Sequence, residues 1–202
     1  MTRVLKKQVF GSPSNEGNLL SREEAKSLLT SWVPNVKLRL HMFQVGYLLK
    51  CWAAEEEHLS EADQWKWQMT GWLHDADWDQ WPELHCQKII EELETRNVDP
   101  EVLHAIASHG PLHFGVEPQS KLDKMLYAFD ELSGFVHAYS LMRPGGYEGM
   151  EVKGVLKRLK DKTFAAQVSR EDINDGATRL QMNPETLIAF VIKHQGQTPE
   201  QI

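Results

Sequence analysis

His74 and Asp75 stand side by side where an apolar, Trp-rich stretch reads as the end of a helix, and an imidazole and a carboxylate on adjacent residues can reach one divalent cation. His41, His85, His109 and Asp130 occupy helical positions on either side of the pair. The set mixes nitrogen and oxygen donors, which suits Fe, Mn, Zn, Ni or Co better than Ca, whose sites are built from oxygen. With 9 His in 202 residues, one His-Asp step is weak on its own. Singly, most of these residues have plainer roles: His41 lies between Leu40 and Met42 as a core or boundary residue, and His85 and His109 sit at helix ends, where polar residues are common. Asp130, within LYAFDELSGF, is harder to explain, because a carboxylate on an apolar helix face is costly to bury without a cation or strong hydrogen bonds. Glu131 projects ~100° away on the same helix and is not counted as a ligand. His113 is close enough to His109 to line a pocket, while His58, His104, His137 and His194 read as surface or packing residues.

The elements that must position these groups read as helix after helix. Ser21 with Glu24 forms a capping box for a first helix that Pro34 closes. Val36, Leu40, Phe43, Tyr47, Leu48 and Cys51 recur at helical spacing in the second, and Ser60 with Asp63 opens a third that runs to the His-Asp pair. A fourth starts near Leu84. Asp99-Pro100 opens a fifth that Gly110 ends, and Ser120 with Asp123 opens a long sixth stopped by Pro144-Gly145-Gly146. Three more are expected over 151–160, 170–181 and 184–195, capped in the last two cases by Ser169 and Asn183. No alternating strand pattern and no internal repeat appears, so the expected fold is an all-α, single-domain bundle preceded by an extension over 1–20 and followed by a tail over 197–202.

A formal net charge of −7 without a basic stripe argues against nucleic acid as a partner. The two cysteines, Cys51 and Cys86, support neither a disulfide framework nor a thiolate zinc site and read as buried free thiols. No secretory signal and no apolar run near the ~18 residues of a membrane span is seen, so the expected location is cytoplasmic, with no membrane partner.

Taken together, the order His41, His74-Asp75, His85, His109, Asp130 resembles the HD superfamily of metal-dependent phosphohydrolases. The stretches GWLHDADWDQWPELH, VLHAIASHG, KMLYAFDELSGFVHA, LMRP and VLKRLKDKTFAAQVSREDI are similar to a small stand-alone bacterial group within it, and the resemblance spans roughly residues 21–195. It implies an HD-domain helical bundle over 21–196 in which His41, His74, Asp75 and Asp130 bind one metal. His85 and His109 match the positions that hold a second ion in some members, with Asp75 bridging. The chain departs from the usual pattern at Gly110, where relatives commonly carry Asn.

The implied activity is hydrolysis of a small phosphorylated metabolite or nucleotide, with His74 and Asp75 at the catalytic centre and one or two divalent transition ions. Asp77, Asp79 or Glu83 can orient the ligand histidines, although Asp79 reads more simply as a solvated loop carboxylate. Lys37, Arg39 and Arg143 are candidate phosphate contacts, and Trp78 and Trp81 can stack on a base or close the pocket. Two alternatives stay open: a mixed-valent di-iron oxygenase, which some relatives with six such ligands are, and a non-catalytic nucleotide-binding module.

Overall fold

A computed structural model of the chain describes residues 4–7 and 17–200, so most of the expected N-terminal extension and the last two residues of the expected tail lie outside the described residues. Helices begin where the side chains can satisfy the free N–H groups of a first turn. Ser21 accepts from the Glu24 N–H while Glu24 accepts from the Ser21 N–H at 2.8 Å, opening α1 (Arg22–Trp32). Asn35 caps α2 (Val36–Glu55), and Ser60 caps α3 (Glu61–Leu73). After a 3-10 turn at Pro82–Leu84 come α4 (Gln87–Thr95), α5 (Pro100–Ser108) and a single turn, α6 (Pro111–Phe114). The long α7 (Lys121–Leu141) opens on a capping box of Ser120 and Asp123. The chain ends in α8 (Val152–Leu159), α9 (Arg170–Arg179), α10 (Pro184–His194) and a 3-10 turn.

The chain is thus an all-α bundle, and the described residues form no strand beyond one isolated bridge between Asn18 and Val98. The fourth helix starts at Gln87 rather than near Leu84, because the segment from His74 to Cys86 is spent on turns that aim its side chains inward. No described helix is long and apolar enough to cross a membrane.

Two apolar cores fill the bundle. Leu29, Met42, Leu73, Ile89, Leu93 and Ile106 belong to one, which Leu5 also joins, its N–H donating to the Phe114 carbonyl at 3.0 Å. Leu48, Leu49, Phe129, Phe135, Ile188 and Val191 belong to the other. Helix α2 serves both, with Met42 and Phe43 in the first and Val45 and Leu48 in the second.

Two contacts set the register of the helices that carry the polar residues. A Cβ on Gly71 of α3 would lie 2.5 Å from the Gly46 Cα of α2, so the two helices meet backbone to backbone. His104 of α5 donates from Nδ1 to Asp123 of α7 at 2.7 Å, five residues before His109 and seven before Asp130.

Candidate metal centre

His74 and His109 are held in the same way. Each follows the last residue of its helix, α3 or α5, and each directs Nδ1 at the carbonyl three residues back: Gly71 at 2.8 Å and Ile106 at 2.6 Å. Those carbonyls belong to a last helical turn that lacks amide partners, so the ring supplies the donor and Nε2 is left carrying the lone pair. The negative ends of both helices also favour a cation nearby. His85 is fixed by Asp77, whose Oδ1 lies 2.7 Å from its Nδ1 while Oδ2 accepts the Ile89 N–H and caps α4. The turn after His85 places Cys86 at a φ of +66°, a left-handed conformation that costs a side-chain-bearing residue ~1–2 kcal/mol and is retained here beside the site.

The free ring nitrogens converge. Asp130 Oδ1 lies 2.9 Å from His41 Nε2 and 3.4 Å from His74 Nε2. Asp75 Oδ2 lies 3.5 Å from His74 Nε2, whereas Asp75 Oδ1 lies 3.2 Å from His85 Nε2 and 3.5 Å from His109 Nε2. Donors ~2.1 Å from one ion and about 90–110° apart stand ~3.0–3.4 Å from each other, so these separations of 2.9–3.5 Å are close to those of ligands around an ion. His74 Nε2 is fully buried and has no hydrogen-bond partner. A buried nitrogen without a hydrogen-bond partner, facing two carboxylate oxygens, is an arrangement that a bound cation satisfies. His41, His74, Asp75 and Asp130 therefore form a group that can hold a metal.

His85, Cys86 and His109 form a second such group, with Cys86 Sγ 3.6 Å from His85 Nε2 and 3.7 Å from His109 Nδ1. Using that His109 nitrogen would sacrifice its bond to Ile106, whereas pairing both Nε2 atoms with Asp75 Oδ1 keeps it.

The charges are strongly interdependent. Burial opposes ionisation of Asp75, but the His74 charge and hydrogen bonds from His109 and His85 outweigh it and hold the carboxyl well below the usual range. Burial likewise opposes the charge on His85 and His109, yet the Cys86 sulfur and Asp75 push both well above the usual imidazole range. Asp130 is lowered because the hydrogen bond of His41 and the charge of His74 overcome its burial. Glu131 is pushed up to about 8, first by burial and then by the neighbouring Asp130 charge.

These groups open onto a cleft of about 610 Å³ whose lining includes Trp78, Pro82, Phe114, Glu131, Gln167 and Asp172. Trp78 lines the cleft, 49% exposed with its ring edge-on to His85 at 4.9 Å, and His113 also lines it. Trp81 is elsewhere, packed on Trp32 at 4.8 Å.

None of the three expected phosphate contacts lines the cleft among the described residues. Arg39 donates to the Val33 carbonyl at the end of α1, Arg143 donates to the Gly146 and Glu148 carbonyls of its own loop, and Lys37 projects from the exposed first turn of α2. Asp79 accepts the Asn35 N–H at 2.9 Å rather than a histidine.

Sequence reasoning discounted Glu131 and overlooked Asp172. The angle that removes Glu131 from the ligand face leaves it on the cleft wall, and Asp172 follows the Ser169 cap like any first-turn acid. Gly110 has a local cause: a Cβ there would meet the Phe114 ring at 2.7 Å, so a larger residue would displace the cleft's aromatic wall. Comparison of the chain with protein-family models, curated proteins and solved structures returns no match.

Proposed function

We propose that this protein is a metal-dependent phosphohydrolase of the HD type acting on a small phosphorylated substrate. The observation that carries the reading is the two-sided placement of Asp75, one oxygen towards His74 and the other towards His85 and His109. His41, His74, Asp75 and Asp130 would hold one divalent transition ion, and His85, His109 and Asp75 a second. Bound there, such ions lower the pKa of a water and neutralise the oxygens of a phosphoryl group. The chain's own residues do the positioning. Gly71, Ile106 and Asp77 fix the three rings so that each presents Nε2, and Trp78 and Phe114 form an apolar wall that limits water. The test is phosphate release from a panel of phosphomonoesters and nucleotides with Mn, Co, Ni, Mg or Fe supplied in turn. Release that requires one of these ions is expected, and no release with any of them would refute the hydrolase reading.

One observation favours a second reading. The described cleft lining contains no Lys or Arg, which also fits an uncharged substrate oxidised at a di-iron centre. Substrate-dependent oxygen consumption by protein loaded anaerobically with iron, without phosphate release, would select it.

A further inference from the structure

The electrostatics of the cleft are asymmetric in a way that bears on the substrate. Two divalent ions less the charges of Asp75 and Asp130 leave a net of about +2 at the centre, which one phosphomonoester dianion cancels. Beyond the ligands the described lining contains no Lys or Arg for a second phosphate, and His113, its further imidazole, already faces Asp172 at 3.9 Å. The nearby arginines are engaged: Arg170 donates to the carbonyls of Ala165, Val168, Phe164 and Asp161, and Arg179 pairs with Asp175 and Glu117.

Nor does the backbone supply an anion site. The N-terminus of α9, whose first turn carries the lining residue Asp172, is occupied by the chain's own groups, with Glu131 accepting the Ser169 N–H at 3.1 Å and Ser169 Oγ accepting from the Asp172 N–H. Asp172 is itself a buried lining carboxylate, held by the Tyr127 hydroxyl at 3.1 Å. A phosphate extending from the metals towards Asp172 meets negative charge, and one directed at Trp78, Pro82 or Phe114 meets groups that cannot solvate it.

We propose that the cleft selects phosphomonoesters and rejects di- and triphosphates, Asp172 acting as the excluding charge. The inference rests on the phosphohydrolase reading for its metals, but it concerns binding and is measurable without turnover. The experiment is calorimetric titration of the Mn-loaded full chain, in excess Mn, with AMP against ADP and with inorganic phosphate against pyrophosphate.

The monophosphate of each pair should bind tighter by about tenfold or more, the scale of one unit-charge repulsion across a half-buried cleft. Asp172→Asn, which keeps the acceptor for Tyr127, should narrow both ratios. Gln167→Lys, at an exposed lining position that does not depend on packing, should raise ADP and pyrophosphate affinity several-fold relative to the monophosphates. Equal or tighter binding of ADP and pyrophosphate by the wild type, ratios unmoved by Gln167→Lys, or failure of both monophosphates to bind would each overturn the proposal. Selective monophosphate binding without phosphate release from any substrate would instead remove the hydrolase reading and leave the selectivity standing.

Discussion

Asp75 is the residue on which both halves of the centre depend, since its two oxygens face different histidines. Asp75→Ala should therefore reduce bound metal on both sides, whereas His85→Ala combined with His109→Ala should leave the ion held by His41, His74 and Asp130. Elemental analysis of protein purified without chelator measures this, and a stoichiometry unchanged in the double variant would show that those two histidines are not ligands. Asp77 acts one step further out, through the His85 Nδ1. Asp77→Asn retains an acceptor for the Ile89 N–H that starts α4 but weakens the hold on the ring, so metal affinity should fall about 10–100-fold with the fold intact. Unchanged affinity in a metal titration would deny Asp77 that role. At this scale the sequence revealed donor types and positions well, because His and Asp are short and their reach is set by the backbone. It did not reveal the partners of Arg39 and Arg143, because a long guanidinium goes to whichever carbonyl is nearest, here the end of α1 and the Arg143 loop itself.

The elements bring the donors together through one close contact and one buried pair. Gly71 serves twice, letting α3 approach α2 and supplying the carbonyl that orients His74. Gly71→Ala should cost about 1–3 kcal/mol by overpacking and weaken metal binding as His41 and His74 separate, seen as a lower Tm and a shifted metal titration. Asp123 joins α7 to α5 through His104, and its folded pKa is depressed because this hydrogen bond overcomes burial. A depressed carboxylate stabilises the fold above its unfolded pKa of ~3.9, and that contribution is lost as pH falls through this value towards the folded one. Asp123→Ala should cost about 3–5 kcal/mol at neutral pH, and Asp123→Asn should flatten the acid limb of a stability profile. An acid limb identical to wild type would place the titration elsewhere. Helix starts were legible at this scale because Ser21, Ser60, Asp99 and Ser120 are local signals read from a few residues. The turns from His74 to Cys86 and the single turn α6 were not, since a left-handed Cys86 is imposed by Asp77 and the packed core rather than by propensity.

Across the whole molecule, the donors stand on or beside helices that build the two apolar cores, so metal binding and global stability are linked. An ion that binds only the folded chain adds about 2.7 kcal/mol at a hundred times its Kd, or a rise in Tm of about 5–10 °C for a domain of this size. The sign of its pH dependence follows from His85 and His109, whose folded pKa values are raised well above the ordinary imidazole value. In the metal-free protein such raised groups contribute stability that is complete below their unfolded pKa of ~6.5 and is lost as pH climbs through the folded values. An ion requires these rings neutral, so it must displace the same protons, and its affinity should rise by up to about tenfold per pH unit for each proton released. The two effects run in opposite directions. Metal-free protein should lose stability between pH 6 and pH 9, while the increment given by Mn or Zn should grow over that interval and vanish in Asp75→Ala. Thermal melts with chelator and with excess metal, at matched pH values, measure both limbs. A metal increment equal at the two ends of the range would mean that the ion displaces no proton from His85 or His109, and the bridging arrangement around Asp75 would have to be abandoned.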